Sequence, residues 1–488
     1  MNDLEKTIIL RTGIRDVCTS FGNTAMTSET RMTFLPSSHV NAAAFDVTLV
    51  EGYCGFGKTH LWHYLGSVAH QQNVARWAQE SERRHLVTAY GFGENLNRDE
   101  VPDRATLALL WQHYHGKDKT FTSAVWRAVL AHGLGFDGEF ALLANWEQRV
   151  AWVHANPNKF KAALESADAR LAVADQMHMV LFDSLEQLAD NWADTLHWLK
   201  GLMQVAREVR NTRHIRCKIF LRPDMMTGIV QQSQDADQLL PYKKELWRRC
   251  DFYSLFFRHL ANHPEAGALF RDICHQLGQT WLQNKRDGQF FPPKPLNIDE
   301  DVQAKVFHEL TGRRMGEVSP HAPPYVWLIN CLQDSLGFVS PKSFMATLAG
   351  AAEMVEQTCS QVLDGRAIFK GRYAKSDVRP KEIFSNHPWV ELVFRPLVGQ
   401  LQLPIPLHQI EEKWRTHKTL ETLVDDLLTG DFAVKLPPKS LARGAHGVID
   451  DLWELGVLQV LLNGEIQMND VYRTFFGFGR KGGIYVIN

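Results

Sequence analysis

The sequence has no long apolar run and therefore no candidate for a membrane span. None of its 488 residues falls in an uninterrupted apolar stretch of the roughly eighteen residues that such a span needs. Residues 1–6 also lack the basic start and the apolar core of a secretory signal. Hydrophobic residues still make up 45% of the chain, as in globular proteins. We therefore expect a cytoplasmic location, no membrane contact and about three domains.

Cysteine pairs and metal-ligand spacings are missing as well. The seven cysteines are odd in number and scattered, and the sequence contains neither a CxxC pair nor a Cys/His zinc spacing. The 21 histidines form no HExxH or comparable ligand pattern. These absences argue against a disulfide scaffold and against a structural metal site.

An excess of charge of one sign is the third absence. The formal net charge is −2 at pH 7, which gives no global attraction to nucleic acid or to acidic membranes. Any DNA-binding surface would have to be a local basic patch. Internal repeats and low-complexity tracts are also lacking.

The chain does contain a complete phosphate-binding motif, G-x-x-x-x-G-K-[ST], immediately before His60. The motif residues are Gly52, Tyr53, Cys54, Gly55, Phe56, Gly57, Lys58 and Thr59. An apolar run at 44–50 predicts a strand before the motif, and residues 59–69 predict a helix after it. In that context backbone N–H groups wrap a β-phosphate, Lys58 reaches the outer phosphates and Thr59 ligates Mg²⁺. A glycine-rich turn without a ligand is the alternative.

A second acidic strand is needed for hydrolysis of a bound nucleotide. Residues 180–183 supply it, because this apolar run ends in Asp183 at the edge of a sheet where ligands bind. Asp183 would complete the Mg²⁺ site, and Glu186 could orient the attacking water. In the alternative, Asp183 caps a helix and Glu186 is solvated. Many ATPases place the catalytic glutamate directly after the aspartate, and here that position is Ser184, which favours slow hydrolysis.

Arginines provide candidates for sensing the γ-phosphate. The strand at 216–222 ends in Arg222, and a charge at the end of an apolar strand is costly unless it meets an anion. If that strand lies beside the phosphate-loop strand, Arg222 points at the γ-phosphate; a salt bridge to Asp224 is the alternative. Arg248 and Arg249 are candidates for an arginine that acts in trans in an oligomer.

The order of predicted elements gives an α/β fold class. Predicted strands alternate with helices and imply a parallel sheet; they lie at 44–50, 85–90, 177–183, 216–222 and 252–257. The predicted domains are a P-loop nucleotide-binding domain at 1–257 with a helical insertion at about 104–172, a helical lid at 258–360, a basic connector at 361–385 and a winged-helix-like domain at 386–488.

Three features together resemble the STAND and KAP-like branches of the AAA+ ATPases. They are the phosphate loop, the strand ending in Asp183 with Ser-Leu-Glu-Gln-Leu after it, and the later strand ending in Arg222. Residues 323–328 and 337–344 resemble the helical lid of that group. The resemblance covers roughly residues 40–360 and implies a switch in which ATP closes the lid and the closed form engages a partner.

The last hundred residues predict helices followed by a hairpin. Residues 447–456 read as an amphipathic helix, and Asn-Gly at 463–464 separates two apolar strands. This order resembles a winged helix, which predicts DNA contact or a protein interface. The candidate DNA contacts are Arg443, His446, Arg473, Arg480 and Lys481. Acidic residues in the same helix would repel phosphates and argue for the protein interface.

We therefore predict an ATP-binding and ATP-hydrolysing switch that uses ATP and Mg²⁺. It would act with an effector or other partner protein and could form a homo-oligomer. The resemblance implies a bacterial-type system, and genome defence or mobile-element control would suit it. The alternative is a DNA-binding regulator that binds ATP with little hydrolysis. A small-molecule kinase is a third hypothesis, and the large helical regions added to the nucleotide-binding core argue against it.

Overall fold

The computed structural model describes residues 2–21, 34–67, 85–114, 120–232, 240–285, 288–356, 359–429 and 437–481. The chain divides into two compact units. The sheet unit comprises Leu35–Leu246 and Lys435–Pro437, and the helical unit comprises Met1–Phe34, Trp247–Val434 and Pro438–Asn488.

A five-stranded parallel sheet forms the centre of the sheet unit. Its strands are β1 (Leu49–Glu51), β2 (His85–Phe92), β3 (Gln176–Phe182), β4 (Ile215–Leu221) and β5 (Tyr242–Lys244). Across the sheet the order is β2-β3-β4-β1-β5, so β4 and β5 flank β1 and β4 separates β1 from β3. The predicted α/β class with a parallel sheet is confirmed.

Both faces of the sheet are apolar, as expected for parallel strands covered by helices. In β3, Met179 and Leu181 belong to one buried cluster, whereas Val180 and Phe182 belong to another. The helices of the sheet unit are α2 (Ser37–Ala43), α3 (Lys58–Gly66), α4 (Arg104–Tyr114), α5 (Phe121–Gly133), α6 (Trp146–Ala155), α7 (Pro157–Val173), α8 (Trp192–Val209) and α9 (Pro223–Gln232). Helices α4 to α7 lie between β2 and β3, where the helical insertion was predicted.

Three of the predicted strands are present, and two need correction. The strand predicted at 44–50 is shorter and begins at Leu49. Residues 252–257 do not form a strand, because they lie inside a helix, Arg249–Ala261. A short apolar run does not distinguish a strand from a buried helix by periodicity. The fifth strand is the exposed β5, whose sequence Tyr-Lys-Lys carries no apolar signal.

A buried lysine fixes the segment between α2 and β1. Lys218 on β4 is 0% exposed, and its Nζ donates to the carbonyl oxygens of Ala42 at 2.6 Å, Ala44 at 2.9 Å and Val47 at 2.8 Å. An ammonium group has three donors, so all of them are used. Lys218 therefore fastens the end of α2 to the sheet beneath it.

The helical unit contains the regions predicted as lid, connector and C-terminal domain. Its helices are α1 (Asp3–Ser20), α10 (Arg249–Ala261), α11 (Ala266–Gln276), α12 (Lys294–Ile298), α13 (Glu300–Thr311), α14 (Pro324–Leu332), α15 (Pro341–Met354), α16 (Gly365–Ala374), α17 (Val378–Phe384), α18 (Pro388–Phe394), α19 (Leu407–Thr416), α20 (Thr419–Thr429), α21 (Gly444–Glu454) and α22 (Asp470–Arg473). Among the described residues, no helix is both long and apolar enough to cross a membrane.

The first helix belongs to the helical unit, whereas the sequence analysis assigned it to the P-loop domain. Leu10 and Ile14 of α1 lie on one face and enter the same buried cluster as Phe344 of α15. The guanidinium of Arg11 donates to the carbonyl oxygens of Val362 at 3.1 Å and Gln361 at 2.9 Å. The unit boundary after Leu246 also precedes the predicted boundary at 257.

The predicted basic connector contains two helices, α16 and α17. Arg372 and Arg379 are buried and pair with Asp470 at 2.8 Å and Asp334 at 3.0 Å. These ion pairs join residues far apart in sequence, so the basic composition of the connector gave no local sign of them.

The helix-then-hairpin order predicted at the C-terminus is present. The strands β10 (Gln459–Val460) and β11 (Glu465–Gln467) form an antiparallel hairpin after α21, and β11 pairs with β9 (Ile405–Pro406). The remaining short strands of the helical unit are β6 (Leu282–Gln283), β7 (Phe290–Phe291), β8 (Gln402–Leu403) and β12 (Gly479–Arg480).

Replacing Lys218 by Met should lower the free energy of unfolding by about 2–4 kcal/mol, because three buried carbonyl oxygens lose their donor. Chemical denaturation measures the loss. The exposed Lys161→Met on α7 is the control and should change stability by less than ~0.5 kcal/mol. Equal effects of the two substitutions would contradict the anchoring role.

Candidate functional site

The predicted phosphate loop joins β1 to α3 at the carboxyl edge of the sheet. Gly57 has φ of 101°, a left-handed conformation that residues with a Cβ rarely adopt, and α3 begins at the next residue, Lys58. Gly52 is required for space, because a Cβ there would lie 2.7 Å from Glu245 Oε2 and 3.0 Å from Lys58 Cγ. Glycine is therefore needed at position 57 for the backbone conformation and at position 52 for lack of space.

A histidine that was not among the predicted site residues, His39, contacts the phosphate loop. His39 Nε2 of α2 lies 2.8 Å from the carbonyl oxygen of Phe56, and because a carbonyl only accepts, this nitrogen carries the proton. Phe56 is buried, and its ring contacts that of Tyr53 at 5.7 Å between centroids. Along the rest of the motif, Cys54 is half-buried, and Gly55, Thr59 and His60 are exposed.

Lys58 is folded back onto the loop. Its Nζ donates to the carbonyl oxygens of Gly52 at 2.7 Å and Tyr53 at 3.0 Å. These contacts place the ammonium group inside the curve of the loop, where the motif predicts that it meets the outer phosphates.

Thr59 and Asp183 meet although 124 positions separate them in the sequence. The Thr59 hydroxyl donates to Asp183 Oδ2 at 2.7 Å. Burial raises the pKa of Asp183 to about 6, and Glu186 adds to the rise, whereas the hydrogen bond from Thr59, the charge of Lys58 and the N–H of Ser184 oppose it. The paired hydroxyl and carboxylate oxygens are the ligand type that Mg²⁺ prefers.

Glu186 follows Asp183 on a short 3₁₀ turn, Leu185–Gln187. Ser184 before it is left-handed, with φ of 56°, which is uncommon for a residue with a side chain. Glu186 is half-buried, and its charge acts on both Asp183 and Arg222. Glu186 therefore lies near Asp183 and Arg222, and its role in orienting water stays a prediction.

The strand that precedes Arg222 lies beside the phosphate-loop strand, as the sensor hypothesis requires. Its strand, β4, pairs directly with β1, and Arg222 follows it at the carboxyl edge with 5% exposure. Its Nε donates to Asp224 Oδ1 at 3.1 Å and its Nη2 bonds to Oδ2, so the predicted alternative, the salt bridge, is also present. Burial alone would lower the pKa of Arg222, but Asp224 and Glu186 hold it above the usual value.

One donor of Arg222 remains unused. Its buried Nη1 has no hydrogen-bond partner among the described residues. A buried guanidinium proton without an acceptor is costly, and an anion at this edge would satisfy it.

Glu245 is the residue at this edge that sequence reasoning missed. It follows β5 directly, is 1% exposed, and has no hydrogen-bond partner for either carboxylate oxygen within the described residues. Burial raises its pKa to about 8; Lys58 opposes the rise and Asp183 adds to it. The only sequence signal was a carboxylate after a polar tripeptide, which does not stand out from a surface loop.

The candidates for a trans-acting arginine have intramolecular partners. Arg248 pairs with Asp251 at 2.8 Å, and Arg249 pairs with Glu300 at 2.9 Å. Arg248 and Asp251 lie at the start of α10, where the Asp251 carboxylate also accepts the backbone N–H of Arg248 at 2.9 Å. A role in trans stays a prediction and would require these pairs to open.

Four of the five candidate DNA contacts also face carboxylates within the helical unit. Arg443 lies 2.9 Å from Asp450, and His446 lies 3.4 Å from Glu411. The other two share one partner: Arg473 and Arg480 lie 2.8 Å and 3.7 Å from Asp470. Lys481 is exposed. Ion pairing of this kind leaves little uncompensated positive charge for phosphates.

Comparison with known proteins gives a weak likeness in structure alone. No protein-family model matches the chain, and no curated protein matches it. Similar solved structures include the Aeropyrum pernix ORC2 protein with ADPNP and ADP, 12% identical over 92% of this chain and 95% of that one, with a TM-score of 0.43. The ADP form of the same protein is 13% identical over 92% and 96%, with a TM-score of 0.33.

Cdc6p from Pyrobaculum aerophilum is 12% identical over 86% of this chain and 93% of that chain, with a TM-score of 0.23. Similarity at these levels carries no argument about function or about the arrangement of domains. The function has to be argued from the residues at the sheet edge.

Asp183→Asn should stabilise the ligand-free protein at neutral pH. The folded-state pKa of Asp183 is about 6, above the ordinary 3.8. The folded form therefore binds more protons between these values, so stability falls as pH rises from about 4 to 6. The gain in stability of the variant over wild type should be larger at pH 7.5 than at pH 4.5 by roughly 2 kcal/mol.

Thermal unfolding with a metal chelator present measures this difference at the two pH values. The exposed Asp99→Asn is the matched control and should show no pH-dependent gain. A loss of stability in Asp183→Asn at pH 7.5 would show that the carboxylate is not penalised by burial.

Proposed function

We propose that this protein binds ATP with Mg²⁺ and hydrolyses it slowly, as a molecular switch of the AAA+ kind. The observation that carries the proposal is the 2.7 Å contact between Thr59 of the phosphate loop and Asp183 at the end of a different strand. A glycine-rich turn with no ligand has no reason to place its threonine against a buried carboxylate that is costly to maintain.

Four residues near the phosphate loop have a role in this part of the proposal. Lys58 holds the outer phosphates, and Thr59 and Asp183 hold the metal. When bound, Mg²⁺ supplies positive charge that neutralises the charge developing on the phosphates. Glu186 orients the attacking water, and its separation from Asp183 by Ser184 and Leu185 is the reason we propose slow hydrolysis.

Arg222 is the proposed sensor of the γ-phosphate. Its position beside β1 and the unused Nη1 donor support this role, since a phosphate oxygen would supply the missing acceptor. Asp224 keeps the guanidinium oriented through its two bonds.

We propose further that the switch acts on a partner protein, as the resemblance to STAND and KAP-like ATPases implies, and that it can oligomerise. Genome defence and mobile-element control are the settings that suit that resemblance. The DNA-binding alternative gains no support from the ion-paired arginines of the helical unit.

Lys58→Ala should weaken nucleotide binding at least tenfold, because the ammonium contact with the phosphates is lost. Glu186→Gln should retain binding and lower steady-state ATP hydrolysis about 10–100-fold. Isothermal titration and phosphate release measure the two effects. Glu165→Gln, which changes an exposed carboxylate of α7, is the control and should keep the wild-type rate. A wild-type rate no higher than that of Lys58→Ala and Glu186→Gln would refute hydrolysis.

Arg222→Lys should lower hydrolysis at least tenfold and change ADP affinity by less than about threefold, since lysine keeps the charge but loses the planar fork. Arg216→Lys on the same strand is the matched control. Arg216 lies near the amino end of β4, at the other end of the strand from Arg222, and bonds to Asp46 at 3.2 Å. Equal losses for ADP and hydrolysis would contradict a role specific to the γ-phosphate.

A further inference from the structure

The proposed function leaves one group at the sheet edge without a role, and that group is Glu245. The backbone N–H of Glu245 donates to the carbonyl oxygen of Glu51 at 2.7 Å, which fixes Glu245 beside the start of the phosphate loop. Its carboxylate lies so close to Gly52 that a Cβ there would be 2.7 Å from Oε2. Neither carboxylate oxygen has a hydrogen-bond partner in the part of the chain that the structure describes, and a buried carboxylate of this kind is costly.

Charged groups reach Glu245 from three other elements. Lys58 of α3 is the cation whose charge acts on it most strongly, and Asp183 after β3 acts as an anion. His39 of α2 lies 3.8 Å from Oε1, but its Nε2 already donates to Phe56. On the strand of Glu245 itself, Lys244 pairs with Glu51 at 3.1 Å. Lys58 is therefore the cation that can balance Glu245.

Lys58 cannot serve two anions equally. With no nucleotide, its ammonium group bonds to two loop carbonyls, and its positive charge stabilises Glu245 when that carboxylate is ionised. When phosphates enter the loop, the ammonium group turns to them, and Glu245 is left as a buried anion beside additional negative charge.

We propose that Glu245 is an internal competitor of the nucleotide phosphates for Lys58, which weakens nucleotide binding and speeds nucleotide release. This inference rests on the proposed function, because it assigns the control of release to the same site. Glu245 acts through Lys58 and is a positioning residue. A switch needs such a device, since a site that binds ADP too tightly cannot reset.

The test is the release of a fluorescent ADP derivative from the full-length protein, followed by stopped-flow chase at pH 9, where Glu245 with its pKa of about 8 is ionised. Glu245→Gln removes the charge and keeps the shape, and should slow release and tighten binding by roughly tenfold or more. Glu245→Asp keeps the charge and should stay within about threefold of wild type. Glu51→Gln removes a buried carboxylate at the end of the adjacent strand whose charge Lys244 already balances, and should also stay near wild type.

The second measurement is the pH dependence of ADP affinity. Phosphates beside Glu245 favour its protonated form, so wild-type ADP affinity should fall as pH rises from 7.5 to 9.5, and this fall should be absent in Glu245→Gln. Unchanged or faster release in Glu245→Gln, or a flat wild-type profile, would overturn the competition. A wild-type chain that binds no ADP at all would instead overturn the proposed function.

Discussion

The carboxyl edge of the sheet concentrates more charge than its own side chains can neutralise. Asp183, Arg222 and Glu245 are all buried there, and Lys58 reaches into the same space. Arg222 has a carboxylate partner and still holds one donor unused, while Glu245 has no hydrogen-bonded partner among the described residues. Because burial lowers the local dielectric, every added charge at this edge acts strongly on the others. The proposed chemistry follows from that imbalance, since an anion with a divalent cation would change the state of all four groups.

The surrounding fold keeps this edge in place through buried polar contacts. Lys218 ties the end of α2 to β4, and α2 carries His39, which holds the phosphate loop through the carbonyl oxygen of Phe56. The loop is thus held beside Gly57, where a Cβ would lie 3.3 Å from His39 Nε2. A loop held this way loses little conformational freedom when a ligand binds, which favours binding without new contacts.

The parts of the site that are local in sequence could be predicted, and the parts that depend on tertiary pairing could not. The phosphate loop, Asp183 and Arg222 each stand at the end of a strand with its own apolar signal. Glu245 follows β5, a three-residue edge strand of exposed polar residues, so nothing local marks it. The same physics explains the false strand at 252–257, where a short aromatic run is buried in a helix.

Long-range ion pairs were invisible for a related reason. The predicted connector is basic in composition, yet its Arg372 pairs with Asp470, which lies 98 positions away. Asp470 also faces Arg473 and Arg480. A single carboxylate therefore pairs with three arginines, one from the predicted connector and two from the candidate DNA contacts, and a count of basic residues overstated the charge available to a partner.

The position after Asp183 bears on the rate of the proposed reaction. Ser184 is left-handed and starts the 3₁₀ turn, so the next acid, Glu186, stands on the turn rather than at the strand end. From there its charge reaches both Asp183 and Arg222. A glutamate placed directly after Asp183 would have to adopt the strained left-handed conformation. The departure from the common spacing thus links the proposed metal ligand and the proposed sensor through one carboxylate, which suits a switch whose two states matter more than fast turnover.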